Sequence, residues 1–368
     1  MQLLSRYLMR HTAIRLAVVL FTFDAFALLF DLVDASEDLL RDPTGIWRGI
    51  LLYVGLRLPS LTAEILPFAV VIGSLFAVAD LMRHREIVVI WGAGLSPLDI
   101  ARRLAPLAAL LAAFAFVNAD FAVPQSATAL RAWGIGQFRY APRGEQGRYL
   151  WVQLDGDVLR VDAAGVRRRA LHDVAIFRRD ARGVLIERIE ARRARPRGSG
   201  LELEEVVRYP VGTGRAIREA RMHWPKGVDL EAMELMARPA SELSLVELTR
   251  IIAAAGYGMR SVRSHRSWWH HRLAGALVPA ALLLLPFALL REFRRTGGAT
   301  RLFVEGITVS FLFQILDGVA VALGEGGFLP PALAGWAAPV ALVSLLVALL
   351  ARGQRGFGPT PAVLRGAA

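Results

Sequence analysis

The segment LMRHREIVVIWGAGLSP, residues 81–97, decides how the rest of the chain is interpreted. It starts with a basic cluster, continues as a short apolar run and stops at two glycines, a pattern typical of a short amphipathic helix. Long apolar runs flank it on both sides, which places it in a hairpin between two membrane spans. Such a helix can transmit force from a soluble partner to the spans. The alternative is a helix that only lies on the membrane surface.

Six apolar runs are each long enough to cross a hydrocarbon core of about 30 Å. Basic residues cluster at the N-terminus and after the second, fourth and sixth runs, whereas the loop between the fifth and sixth runs has none. Because basic loops stay on the cytoplasmic side, both termini are predicted to be cytoplasmic. The runs cover residues 16–33, 59–79, 104–123, 273–290, 302–323 and 331–350.

The region between the third and fourth runs is densely charged and contains no run that could span a membrane. Six short alternating segments, separated by turn residues, predict an antiparallel sandwich or jelly roll. Ser244 and Glu247 form a capping-box pattern that predicts a helix over residues 245–255, with Gly256 as its stop. The predicted strands cover residues 149–154, 158–161, 174–177, 184–189, 201–207 and 216–223.

The predicted fold is an α-helical polytopic membrane protein, with six transmembrane helices and an inserted periplasmic antiparallel β jelly-roll domain. Residues 1–124 would hold the first three helices and a cytoplasmic coupling helix at about 83–96. The β domain and its return helix would occupy 125–267. Residues 268–352 would form the last three helices, and 353–368 a cytoplasmic tail.

Composition excludes several classes of protein. Of 368 residues, 55% are hydrophobic and 21% charged, with a net charge of +12. Many basic residues flank the apolar runs, so a membrane location explains them better than a nucleic-acid partner. The chain has no cysteine, and His265, His270 and His271 have no carboxylate at ligand spacing, so no metal site is predicted.

The chain has no motif for nucleotide binding or catalysis. Its only lysine, Lys226, lies between Pro225 and Gly227, so the Gly-Lys-Ser/Thr sequence of a Walker A loop is absent. If transport is driven by ATP, a second polypeptide must hydrolyse it. We therefore predict no catalytic residue and no cofactor in this chain.

Acidic side chains inside the predicted spans are candidate functional residues, because ionisable groups in a membrane are costly and face protein or water. Asp24 and Asp31 are seven residues apart and share one helix face, about 20° apart. Gln314 and Asp317 share a face of the fifth span. A role in a cavity or gate and a hydrogen bond between helices are both open, whereas acid–base catalysis lacks any other support.

Several short motifs occur in a particular order along nearly the whole chain. They are RYL at 6–8, FDLVD at 30–34, REIVV at 85–89, GAG at 92–94, GYG at 256–258, the aromatic residue Trp268 and LD at 316–317. Together they resemble the permease subunits of the lipopolysaccharide-export ABC transporter, the LptF/LptG family. The segment FDLVD and the pair LD are more similar to the G type than to the F type.

The resemblance implies a set of partners in the inner membrane of a Gram-negative bacterium. A second, LptF-like permease would form a heterodimer with this chain. A cytoplasmic ATPase dimer would bind ATP and magnesium and drive transport. A single-span subunit with its own jelly roll and a periplasmic bridge protein would receive lipopolysaccharide, and the first and fifth spans would form lateral gates.

The resemblance also implies functional residues. Glu86 would be the coupling residue, and its apolar neighbours would fill a groove on the ATPase. The alternative is that Glu86 only pairs with Arg83 or Arg85 in solvent. The predicted ATPase-coupling residues are Arg83, Arg85, Glu86, Ile87, Val88, Ile90 and Trp91.

Some G-type members carry a lysine near the outer end of the first span, proposed to meet lipid phosphates. Here Asp31 occupies the matching region, so a phosphate contact would come from Arg41, Arg48, Arg57 or another subunit. The jelly-roll interior would carry acyl chains, although any single residue there is expected to fill the core, and its edge strands would pair with another jelly roll. The predicted interior positions are Val152, Leu154, Val174, Ile176, Leu185 and Leu203.

Two other functions compete with this interpretation. A secondary transporter could move protons through Asp24, Asp31 and Asp317 and would need no ATPase. A membrane scaffold could hold the β domain without transporting anything, although it would leave the buried acids and the hairpin helix unexplained.

Overall fold

The structure is a computed structural model, and it divides the chain into two compact units. The helical unit comprises Met1–Arg139, His270–Gly324 and Phe328–Ala368, and the β unit comprises Tyr140–Trp269 and Glu325–Gly327. The residues that it describes are 2–41, 45–138, 149–154, 156–162, 171–180, 182–198, 200–212, 214–226, 230–236, 238–253, 262–290 and 299–355.

The chain folds into eleven α-helices within the described residues, two of them short. Five helical stretches are long and apolar enough to cross a membrane, or six if one bent pair counts as a single span. The helices are α1 Gln2–Leu40, α2 Ile46–Arg83, α3 Glu86–Gly92, α4 Pro97–Val117, α5 Val123–Trp133, α6 Leu230–Met236, α7 Leu245–Ala253, α8 Val262–Gly275, α9 Val278–Leu289, α10 Ala299–Glu325 and α11 Pro331–Arg355.

The first two spans are longer than a membrane is thick. Helix α1 has 39 residues, which corresponds to about 58 Å at 1.5 Å per residue. Helix α2 begins well before the second apolar run, so residues 50–58 belong to it, and it continues through Pro59 and Pro67. Apolar runs therefore predicted where the spans are, but not where their helices end.

The third span contains a π-helical segment, Asn118–Ala122, between α4 and α5. The Asn118 side chain donates to the carbonyl of Pro59 at 2.9 Å, and Arg272 donates to the carbonyl of Ala119. Pro124 follows the predicted end of this span at residue 123, but it occupies the first turn of α5, where a missing amide hydrogen is tolerated. The helix therefore continues to Trp133, beyond the predicted domain boundary at residue 124.

The core of the helical unit is built around α9, which packs against α2, α4 and α11. Ten of its twelve residues are buried. Helices α8 and α9 are bent by 45° where they meet, so the predicted fourth span is a broken pair. The predicted tail differs as well, because 353–355 belong to α11 and residues 356–368 lie outside the described residues.

The two longest helices approach each other closely at one point. A Cβ atom added to Gly73 of α2 would lie 2.6 Å from the Cα atom of Leu16 in α1. Only glycine permits this distance without a shift of one backbone. For Gly55, also in α2, no atom of the described residues lies within 4 Å of such a Cβ atom.

The described residues of the β unit form one six-stranded antiparallel sheet in the order β1 to β6. The inserted antiparallel β domain is thus confirmed, and each of the six predicted strands corresponds to an observed one. The strand order differs from a jelly roll, because each described strand pairs with its neighbours in sequence, as hairpin connections require. The strands are β1 Tyr149–Leu154, β2 Asp157–Asp162, β3 Leu171–Arg179, β4 Leu185–Arg197, β5 Gly200–Pro210 and β6 Ile217–Trp224.

The sheet is irregular along a line that crosses its central strands. Asp173 in β3 and Glu205 in β5 have positive φ angles of 49° and 56°, which is unusual for residues other than glycine. Between them in β4, Arg192 and Arg193 are both exposed, so the inward and outward alternation shifts by one residue. Irregularities of this kind bend a strand, so we expect the sheet to curve along this line.

One face of the sheet is buried, and four of the six predicted interior residues lie there. Val152, Val174, Ile176 and Leu203 belong to a single hydrophobic cluster that also contains Trp224. The interior prediction for Leu185 is wrong, because its side chain is 39% exposed. The side chain of Leu154 lies outside the described residues.

An ionic cluster explains why Leu185 is outside the core. Glu187, two residues further along β4, is buried and accepts hydrogen bonds from Arg208 at 2.7 Å and Arg178 at 3.0 Å. Arg208 also donates to Glu219 at 3.0 Å. These charged groups end the apolar interior, and Leu185 lies beyond them at the start of its strand.

The predicted capping box is confirmed. The Glu247 carboxylate accepts from the backbone amide of Ser244 at 2.8 Å, and the Ser244 hydroxyl accepts from the amide of Glu247 at 3.2 Å. Helix α7 then packs through Leu248 and Ile251 in a small cluster that includes Trp268 and Trp269. The predicted stop at Gly256 lies outside the described residues.

Replacing Gly73 by alanine should destabilise the helical unit by about 1–3 kcal/mol, the usual cost of overpacking. Gly55→Ala is the matched control in the same helix and should be neutral or stabilising by up to about 1 kcal/mol, because alanine favours a helix. Loss of helical circular dichroism during titration with a denaturing detergent measures both. Equal behaviour of the two variants would contradict the close contact.

The Glu187 cluster predicts a pH dependence for the β unit. Burial raises the pKa of the Glu187 carboxyl, but Arg208 and Arg178 outweigh burial and hold that pKa below its usual value. The carboxylate therefore stabilises the folded state above about pH 4.3, the unfolded value, and this contribution disappears as pH falls through the lower folded pKa.

Glu187→Gln should accordingly lower the melting temperature of the β unit at pH 7, and its difference from wild type should shrink below about pH 4. A fluorophore on a cysteine introduced at Val211 reports this melting, since the chain has no cysteine of its own. The exposed pair of Glu190 with Arg188 supplies the control, and Glu190→Gln should have little effect. A pH-independent difference for Glu187→Gln would refute this role.

Candidate functional site

The short helix predicted from residues 81–97 is present as α3, Glu86–Gly92. It follows a tight turn in which Arg85 adopts a left-handed conformation with φ of 57°. Arg83, His84 and Arg85 are all exposed at this turn. Because the turn is so short, α3 is joined directly to the end of the second span.

Glu86 is held by the first span. The Tyr7 hydroxyl donates to Oε2 of Glu86 at 2.7 Å. Neither Arg83 nor Arg85 forms an ion pair with Glu86 among the described residues. The predicted alternative, a simple pair with one of these arginines, is therefore not the arrangement in the structure.

The apolar residues of α3 divide into two groups. Ile87 and Ile90 are only 4% and 6% exposed and pack in the core of the helical unit, and Trp91 is partly buried against it. The prediction that Ile87 and Ile90 fill a groove on a partner is therefore corrected, since helical spacing turns both inward. Val88 and Val89 are 60% and 73% exposed, so these two are available to a partner.

A stripe of polar residues continues from Tyr7 along α1. His11 lies one turn further on, and its ring centroid is 5.5 Å from that of Tyr7. Asp80 of α2 forms an ion pair with Arg15, and Nε2 of His11 lies 3.5 Å from the same Asp80 carboxylate. Tyr7, His11 and Arg15 recur every four residues, so one stripe of α1 contacts the end of α2 and the start of α3.

The two predicted acids of the first span both face α2. Asp24 is buried and accepts a hydrogen bond from the Thr62 hydroxyl at 2.9 Å. Asp31 accepts from the Tyr53 hydroxyl at 2.7 Å and from Nε of Arg57 at 2.8 Å. The two acids are thus brought to one helix face, as predicted, and both form hydrogen bonds between helices.

The Asp31 contact changes the prediction about phosphate binding. Arg57 is buried, pairs with Asp31 and lies over the ring of Phe138 at 5.5 Å from its centroid, so it is not free to meet a phosphate. Arg41 pairs with Glu37 on the surface. An acid and a base in two antiparallel apolar helices could have signalled the Asp31–Arg57 pair, but nothing in the sequence singles out Tyr53 or Thr62.

The fifth-span acid has a partner on α8. Oδ2 of Asp317 lies 2.8 Å from Nε2 of His271, whereas Oδ1 is buried and has no hydrogen-bond partner among the residues that the structure describes. Gln314 is partly buried on the same face of α10. A direct role of these residues in a gate remains a prediction.

These features define a class of protein: a polytopic helical membrane protein whose third and fourth spans are separated by an antiparallel β domain, with a short helix at the hairpin between its second and third spans. The chain belongs to the lipopolysaccharide export system permease LptF/LptG family, which matches residues 6–352. The comparison with curated proteins finds no match. Family membership makes the chain a transport permease in lipopolysaccharide export.

Removing Asp31 should be costly, because it leaves the Arg57 guanidinium buried without its counter-ion. Asp31→Ala is expected to destabilise the helical unit by about 3–5 kcal/mol, measured by titration with a denaturing detergent. Adding Arg57→Leu to that variant should recover much of the loss. Asp34→Ala, at an exposed acid one turn further on, should be nearly neutral, and equal losses for Asp31 and Asp34 would contradict the pairing.

Proposed function

We propose that this chain is one permease half of an ABC transporter that extracts lipopolysaccharide from the inner membrane and passes it to a periplasmic bridge. The observation that carries the proposal is the position of α3: its start is bonded to α1, and it is joined directly to α2. A partner that moves α3 therefore acts on two spans together. The match of the family to residues 6–352 supports the substrate class.

The energy source lies in another subunit. The sole lysine is not part of a Walker A loop, so a cytoplasmic ATPase dimer would bind ATP and magnesium. Exposed Val88 and Val89 would enter an apolar groove on that subunit, with Glu86 beside them. Ion pairing by Glu86 would then fix the orientation of docking.

The remaining partners follow from the family and from the exposed spans. In the apolar stretches of the first and fifth spans only 17% and 22% of the residues are buried, against 56% in that of the second. Their apolar faces would be covered by an LptF-like permease, by the single-span subunit or by the lipid itself, as lateral gates require. Asp317 and the acidic end of the first span support a G-type role for this chain.

The proposed orientation puts both chain termini and α3 in the cytoplasm and the β unit in the periplasm. Basic residues flank the α3 hairpin on both sides, in agreement with the positive-inside rule. The buried face of the sheet would bind acyl chains when it opens, and its edge strands β1 and β6 would pair with the sheet of a partner.

The docking role predicts the effect of one substitution. Glu86→Ala should weaken association with the ATPase or uncouple hydrolysis from transport by about tenfold, because a charge-assisted contact is lost. The spans should remain intact, since Ile87 and Ile90 still anchor α3. Co-purification in mild detergent and lipopolysaccharide release from proteoliposomes measure the two effects.

Glu37→Ala is the control, at an exposed glutamate whose partner is Arg41, and should leave both readouts unchanged. Unaltered ATPase binding together with unaltered release in Glu86→Ala would refute the docking role. Mass spectrometry of the same preparation identifies the ATPase, the second permease and any retained lipid.

A further inference from the structure

The Glu86 carboxylate has one engaged oxygen and one free oxygen. Oε2 accepts the Tyr7 hydroxyl at 2.7 Å, whereas Oε1 has no hydrogen bond within the described residues. A carboxylate can accept bonds at both oxygens at once. Glu86 can therefore bind Tyr7 and a partner's cationic side chain simultaneously.

Tyr7 and Glu86 are far apart in sequence but join two elements. Tyr7 belongs to the second turn of α1, and Glu86 is the first residue of α3. The chain already connects α3 to α2 through the turn at Arg85. The hydrogen bond adds a direct link from α3 to α1, the span with the largest exposed share.

We propose that Tyr7 is a positioning residue: it holds Glu86 with Oε1 directed at the docked ATPase and ties the docking helix to the first span. Movement of α3 would then reach α1 through Glu86 and Tyr7, as well as α2 through the chain. This inference rests on the proposed docking role of α3, and it adds a residue outside α3 to the coupling machinery.

The hydrogen bond from Tyr7 to Glu86 orients the Glu86 side chain more than it stabilises the fold. Burial of Ile87 and Ile90 already anchors α3 in the core, so the helix does not need the bond in order to fold. Tyr7 is 42% exposed, and an exposed hydrogen bond contributes little to stability. It does restrict Glu86 to one of the rotamers open to a long side chain.

The polar stripe of α1 holds Tyr7 in a position from which it can reach Glu86. Its ring contacts that of His11, and His11 and Arg15 both meet Asp80 of α2. These contacts fix the first turns of α1 to α2, on the N-terminal side of the tight contact of Leu16 with Gly73. Tyr7 lies at the N-terminal end of this stripe, within hydrogen-bond distance of Glu86 in α3.

The test is a double-mutant cycle in the complete transporter, reconstituted with its ATPase in proteoliposomes. Tyr7→Phe removes only the hydroxyl. It should leave the KM for ATP unchanged but reduce lipopolysaccharide released per ATP hydrolysed by about threefold. In the Glu86→Ala background the same change should have no further effect, since the acceptor is already gone.

Tyr209→Phe is the matched control, because the Tyr209 hydroxyl in the β unit has no hydrogen bond among the described residues, and it should match wild type. Wild-type release per ATP in Tyr7→Phe would overturn the inference and leave docking by Glu86 intact. An equal loss from Tyr7→Phe with and without Glu86→Ala would also overturn it, because the two residues would then act independently. No effect of Glu86→Ala in any assay would instead refute the docking role on which the inference rests.

Discussion

Hydrogen bonds between α1 and α2 are the interactions on which the helical unit depends. A polar side chain inside a membrane must find its partner within the protein, because hydrocarbon offers none. The first span carries Asp24 and Asp31, and the second supplies Thr62 to one and Arg57 to the other. These bonds fix the two helices at more than one depth, and they require α1 and α2 to be antiparallel neighbours.

The contacts between α1 and α2 also connect the short helix α3 to both spans. Helix α3 continues from the end of α2, and its first side chain bonds back to α1. Between this bond and the Asp24 contact, Leu16 and Gly73 bring the two backbones into close contact. A force applied to α3 therefore acts on two helices that are bonded to each other at several positions, which is the mechanical property that the proposed ATP-driven transport requires.

Much of the fold could be predicted from the sequence, because its signals are local. Apolar runs predicted the spans, alternation predicted all six strands, and Ser244 with Glu247 predicted the start of α7. The failures were of two kinds. The third apolar run ends at residue 123, but its helix continues through Pro124, because the first turn of a helix tolerates proline. Alternation could not distinguish an interior strand position from the exposed end at Leu185.

The site was less predictable, because its geometry depends on which helices become neighbours. Asp24, Asp31 and Glu86 could be singled out by charge in an apolar context, yet their partners Thr62, Tyr53 and Tyr7 have no distinguishing local pattern. The inward direction of Ile87 and Ile90 likewise depends on the core that α3 meets. Spacing of residues predicts a helix face, but not what that face will contact.

The central claim is that α1 and α2 act as one unit during transport. The chain has no cysteine, so spin labels can be placed at Leu29 of α1 and Leu58 of α2, which are both exposed. The measurement is the distance between these labels by pulsed electron paramagnetic resonance in the reconstituted transporter, with and without ATP. We predict a single narrow distribution that is unchanged by nucleotide. A second population, or a shift of several ångströms when ATP is added, would contradict the account.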